Sequence, residues 1–271
     1  MVESLKELGE KCQKPHWREV GNWMVRKIER PLALYFTWLF LHTPLTANQV
    51  TVLSIGVGML GGICLFSSQA FLFLLGVFFF HAWYLLDHVD GQIARYRRSE
   101  SLSGVYLDYL SHYIVHTAFF LGVGLQAYFL NFNLIFLFLA VSSAIGSVLL
   151  GVFYDTRYKA MFHKLDKSKA VEWIGYRDPL EKLEAKKHEK IPLHKQVFSL
   201  LYKTTEIHVA LNIVTVIALL NLKWSHLLWM PWSLWLSLYY GLLFPALFVL
   251  RCYEHIQNRR IEAEFDSLFR T

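Results

Sequence analysis

Long apolar runs broken by short polar turns set the pattern of this chain. They cover 48–66, 70–93, 105–130, 134–153, 208–222 and 231–250, and most approach the ~20 residues that a helix needs to cross a bilayer. The fifth run is short, and its helix is expected to begin earlier, near Phe198. No internal repeat is visible. The pattern predicts an all-α polytopic membrane protein with six transmembrane helices. Ahead of them, Trp17, Val20, Met24 and Ile28 fall on one helical face, with Arg18, Arg26, Lys27 and Arg30 elsewhere. Such a segment lies in the membrane interface as an amphipathic helix. The apolar run 31–41 is about half the length of a span, so it is expected to be interfacial or buried against the bundle. Three parts follow: an N-terminal interfacial region, 1–47; a six-helix domain, 48–254, with a polar connection at 155–197; and a tail, 255–271.

Composition supports this reading, because 55% hydrophobic and 18% charged residues are too apolar for an ordinary soluble domain. The net charge of +6 would suit nucleic acid in a soluble protein, but here basic loops facing anionic lipid account for it, and no nucleic-acid partner is expected. The turns at 67–69, 131–133 and 221–230 hold one charged residue, Lys223. The remaining charges lie at the N-terminus, at 87–112, at 155–206 and in the tail, all on one side if there are six spans. The excess of Lys and Arg makes that side the cytoplasm, or the inner face of the cell inner membrane in a bacterium. The first thirty residues are charged and lack an early apolar core, so no signal peptide is expected. Cys12, Cys64 and Cys252 are too far apart to suggest a metal or disulfide spacing. The rows Gly58/Gly62 and Ser143/Ser147/Gly151 are small-residue faces that allow close helix packing.

One polar stretch stands out where the second and third runs meet. Asp87, Asp90, Gly91 and Ala94 share one helical face, Arg95 follows, and Gly104, Asp108 and His112 lie at helical spacing on the next helix. Carboxylates bordering a membrane helix are expensive to keep there and point to function. Three that converge can hold a hard divalent cation. The stretch resembles the signature of the CDP-alcohol phosphatidyltransferases, D-x2-D-G-x2-A-R-x8-G-x3-D-x3-D, at every position except the last, where His112 replaces Asp.

The resemblance implies transfer of a phosphoalcohol group from a CDP-activated donor, with CDP-diacylglycerol expected, to an acceptor alcohol with release of CMP. It implies Asp87, Asp90 and Asp108 as ligands of Mg²⁺ or Mn²⁺, with two ions expected. Gly91, Ala94 and Gly104 would let the nucleotide lie against helix backbone, and His112 stands where the family has its general base. A neutral imidazole can accept a hydroxyl proton or ligate a metal. Arg95 either pairs with a carboxylate or phosphate, or anchors its helix at the headgroups.

The segment from Thr46 to Thr51 resembles the family's T-P-N-x-x-T sequence, with Ala47 in place of proline. Asn48 and Thr51 then face either the nucleotide or the turn they sit in. Arg157 and Lys203 could bind a phosphate on the acceptor, although cations at cytoplasmic helix ends are ordinary. Family members are often homodimers, so one is expected here. The loss of the last aspartate keeps a non-catalytic CDP-lipid binder open as an alternative. A transporter would explain intramembrane charge but not the G-x2-A-R spacing.

Overall fold

The computed structural model describes residues 4–14, 16–20, 23–167, 172–173, 192–223 and 231–270. The first helix, α1 (Leu5–Cys12), is closed by a capping box between Ser4 and Glu7, and packs Leu8 and Cys12 against Leu34. Residues 16–19 form turns rather than the start of an interfacial helix. Helix begins at Trp23, passes through a π turn (Val25–Glu29), and continues as α2 (Arg30–Leu41). The buried face there is Val25, Glu29, Ala33, Leu34 and Thr37, while Ile28 of the expected apolar face is exposed. The register differs because α1 and the fourth helix, which also pack against each other, choose which positions are covered.

The spans are α3 (Ala47–Leu65), α4 (Ala70–Tyr96), α5 (Leu102–Asn131), α6 (Leu134–Asp166) and α9 (Pro231–Gln257), each carrying an apolar window long enough to cross a membrane. The expected fifth span is a bent pair, α7 (Leu193–Lys203) and α8 (Ile207–Lys223), meeting at 70°. Counting the pair as one span gives six. Phe198, where that span was expected to begin, lies in α7 on the far side of the bend. The protein is therefore an all-α, polytopic membrane protein.

Small residues let the central helices meet at backbone distance. A Cβ on Gly62 would lie 2.9 Å from the Ala118 carbonyl oxygen, and one on Gly76 would lie 2.9 Å from that of Gly61. These contacts bring α3 against α5 and α4. Below the polar end, Phe80, Trp83, Phe119, Phe120, Tyr240 and Phe244 form the centre of the core.

Helix α6 runs thirteen residues beyond the apolar run predicted to end at 153, carrying the first part of the polar connection as regular helix. The tail turns back as α10 (Arg260–Leu268) and docks there through Arg157–Glu264 at 2.9 Å and Lys164–Asp266 at 3.5 Å. A two-residue bridge, Glu172–Trp173 with Phe269–Arg270, lies beside it. Positions 168–171 and 174–191 of the connection, including its charged segment 180–187, fall outside the described residues, and its end opens the helix Leu193–Lys203.

Candidate active site

The site forms where α4 ends and α5 begins. Arg97 caps α4 and donates to the carbonyls of Leu45 and Thr43, which ties the start of α3 to the end of α4. Arg98 takes a left-handed conformation, φ 50°, and Ser101 caps α5 by accepting from the Gly104 amide at 3.0 Å. The tight turn thus sets the last two turns of α4 beside the first three of α5.

Between them His112 Nε2 lies 3.4 Å from Asp87 Oδ1 and 3.8 Å from Asp108 Oδ1. One ligand atom from each of these three side chains falls within 4.8 Å of the others. Asp87 Oδ1 is buried without a hydrogen bond among the described residues. An orphaned carboxylate oxygen beside a second carboxylate and an imidazole is costly alone, and it fits a divalent cation. Asp90, the third expected ligand, is one turn along α4, and its Oδ2 accepts a 2.6 Å hydrogen bond from the Thr51 hydroxyl. Asp87, Asp90, Asp108 and His112 all line one cavity of about 390 Å³.

Asn48, Thr51, Gly91, Ala94, Arg95 and Gly104 line the same cavity, so sequence-distant residues of α3 join the motif. Two roles become specific. Thr51, besides its bond to the Ala47 carbonyl, positions Asp90. Thr46 rather than Thr51 caps α3, in a capping box with Gln49. Gly104 leaves room for the Asn48 side chain, whose Oδ1 would be 3.2 Å from a Cβ there.

Arg95 does something neither reading anticipated: its Nε donates to the Cys12 carbonyl, so it holds the N-terminal segment over the motif. That contact brings Gln13, Lys14 and Arg30 to the cavity wall. No motif marked them; their only signal was a basic stretch ahead of the first span. Close by, Glu29 is buried, and loss of hydration pushes its carboxyl up to about 7 against the opposing charge of Arg30. Arg157 and Lys203 do not line the cavity. Arg157 pairs with Glu264 and lies over the Tyr154 ring, and Lys203 is exposed at the end of α7.

The fold and site together define a multi-span helical membrane protein with a carboxylate-lined cavity where two spans end. The family model for CDP-alcohol phosphatidyltransferase matches residues 44–240, and the chain belongs to that family. The family transfers a phosphoalcohol group from a CDP-alcohol within a membrane. No curated protein shows a significant match to the chain.

Proposed function

We propose that the chain transfers the phosphatidyl group of CDP-diacylglycerol to an acceptor alcohol and releases CMP, a step of phospholipid synthesis. One observation carries this reading: Asp87 Oδ1, buried without a hydrogen bond among the described residues, and His112 Nε2, 3.4 Å from it, share the wall of a nucleotide-sized cavity at the ends of two spans. A donor there keeps its acyl chains in the bilayer and its nucleotide in the cavity. Asp87, Asp90 and Asp108 hold Mg²⁺ or Mn²⁺, as two ions. Held there, such ions would supply positive charge against the donor's phosphates and the departing CMP.

The protein's own groups supply the rest. Lys14, Arg30 and Arg95 on the cavity wall set a positive potential towards the diphosphate. Asn48, which lies over Gly104, and the Arg95 guanidinium, which lies over Gly91, receive the nucleoside. His112 accepts the proton of the acceptor hydroxyl as its oxygen bonds to phosphorus, and CMP leaves with the electron pair of the broken bond. A second reading draws on the 3.4 and 3.8 Å distances: His112 Nε2 is itself a metal ligand and the base lies elsewhere. The site and both termini face the cytoplasm in this proposal, and the protein acts as a homodimer.

The test uses purified protein, CDP-diacylglycerol, Mg²⁺ or Mn²⁺ and a panel of acceptors, with CMP as the readout. CMP release that needs both acceptor and metal supports transfer, and full activity in excess EDTA refutes the metal-dependent reaction. Stabilisation by CDP without CMP release, from the natural chain and from His112→Asp alike, makes the protein a non-catalytic binder. Manganese affinity decides between the two roles of His112, since His112→Ala weakens it only if the imidazole is a ligand.

A further inference from the structure

A second cavity, of about 250 Å³, opens between α5 and α6, and among the described residues His112 alone lines both cavities. Its α5 wall carries Tyr109, Tyr113 and His116, and its α6 wall carries Ser147, Gly151, Tyr154 and Asp155. The α6 residues Ser147, Gly151 and Asp155 recur every fourth position, so the small-residue row ends in a carboxylate. Gly151 is needed for this arrangement: a Cβ there would stand 2.6 Å from Tyr113 Cε1. With glycine the Tyr113 ring lies across α6, and its hydroxyl donates to Asp155 Oδ2 at 2.6 Å. His116 Nε2 is shielded from water and has no hydrogen-bond partner among the described residues.

The character of this wall is unusual for a membrane protein. Asp155 is its only charged side chain among the described residues, set among three phenol rings and two imidazoles. The nearby cation Arg157 is turned to Glu264. The Asp155 carboxylate on the cavity wall, satisfied on one side by Tyr113, lacks a countercharge among the described residues. Aromatic faces around a carboxylate suit an ammonium group, which gains from both. A phosphorylated acceptor would meet the Asp155 carboxylate here, because Arg157, stacked on Tyr154, is already paired with Glu264.

We propose that this second cavity binds the acceptor, and that the acceptor is an amino alcohol whose ammonium lies against Asp155 and the tyrosine rings while its hydroxyl reaches His112. The inference rests on the transfer reading above and names its substrate class. In the step, the amino alcohol's oxygen bonds to phosphorus and its proton passes to His112. The bond from phosphorus to the CMP oxygen breaks, and CMP carries away the electron pair.

The experiment has two readouts on the full chain, run with CDP and Mg²⁺ present. Calorimetric titration with choline and with ethanolamine should give saturable binding, whereas glycerol 3-phosphate and inositol should give none. Asp155→Asn should weaken amino-alcohol binding about tenfold or more, as expected for loss of a partly buried ion pair. CDP-dependent thermal stabilisation should be unchanged, which shows that the variant is folded. Gly151→Ala should also weaken amino-alcohol binding by displacing Tyr113. The inference is overturned if choline and ethanolamine do not bind, if Asp155→Asn binds them as before, or if a phosphorylated acceptor is the one that binds. The second readout, CMP release, separates the two proposals. Turnover indifferent to Asp155→Asn sinks the cavity assignment and leaves transfer standing. Amino-alcohol binding that needs Asp155, with no CMP from any acceptor, sinks transfer and leaves the ligand class standing.

Discussion

Glu29 allows a prediction whose size follows from the structure. It lies in the π turn ahead of α2, 7% exposed, and its Oε2 has no hydrogen-bond partner among the described residues. The adjacent Arg30 does not satisfy it, because that guanidinium donates to the carbonyls of Trp17 and Val20 at 2.6 and 2.8 Å. Burial therefore dominates and raises the carboxyl from 4.5 to about 7, with the Asp87 charge adding to the rise. The folded pKa exceeds the unfolded one, so the folded state holds this proton more tightly. The associated stability is fully present below pH 4.5 and is lost as pH rises to about 7. The difference between 7 and 4.5, at 1.36 kcal/mol per unit, makes the loss about 3 kcal/mol. Glu29→Gln carries no titrating group and should escape it. Melting temperatures of both proteins in detergent with EDTA, from pH 4.5 to 8, give the comparison. Other groups titrate in both proteins and largely cancel in the difference. The natural chain should fall behind the variant as pH rises and then hold a constant gap above pH 7. A gap that does not change with pH would refute the burial argument.

Four more expectations can be checked directly. Asp87→Ala and Asp108→Ala should each abolish CMP release and Mn²⁺ binding while the protein still inserts, because too few ligands remain to hold the ion; retained activity would move the metal site. His112→Ala should lose about 10² to 10⁴ in rate if the imidazole is the base, and His112→Asp should keep activity by restoring the family's residue; an unchanged rate in His112→Ala points to another base. Thr51→Val removes the 2.6 Å bond to Asp90 and should cost about 1.5–3 kcal/mol in thermal stability or metal affinity, read by melting and Mn²⁺ titration. Cys12 is buried and its thiol is raised to about 11, so impermeant thiol reagents should leave it unmodified from either side; rapid labelling would show that α1 lifts away from the site.

The spans were legible because a bilayer imposes a length requirement that sequence displays directly. Five apolar runs became helices with starts close to those read from the chain, at 47, 70, 102, 134 and 231. What failed to show was decided by contacts between distant segments. The sequence 193–223 is apolar enough to read as one span begun early, yet it bends by 70° at Thr204–Glu206. There the Thr204 hydroxyl lies 2.5 Å from the Tyr239 hydroxyl, and its carbonyl accepts from Tyr240, both residues of α9. Likewise the face of the helix at 23–41 is chosen by the two helices packed against it, so the run Trp17, Val20, Met24 and Ile28 is not the buried face.

The site shows the same division at closer range. Motif spacing is enough to predict that Asp87, Asp90, Gly91 and Ala94 face one cavity with Gly104, Asp108 and His112, since helices enforce it. Spacing cannot predict that the Arg95 side chain reaches back to Cys12, a contact separated by 83 positions. Yet that contact decides what lines the cavity, because it brings Gln13, Lys14 and Arg30 to the wall from outside the matched region 44–240. The consequence bears on how His112 is understood. A histidine in place of the family's fourth aspartate leaves three carboxylates, Asp87, Asp90 and Asp108, at the cavity, while the N-terminal segment adds the cations Lys14 and Arg30 to its wall. Both changes make the cavity more favourable to a diphosphate and weaken its hold on divalent ions. The altered motif position and the N-terminal segment therefore act in one direction, and a chain shortened to residue 31 onward should bind CDP more weakly than the full chain even with all motif residues intact.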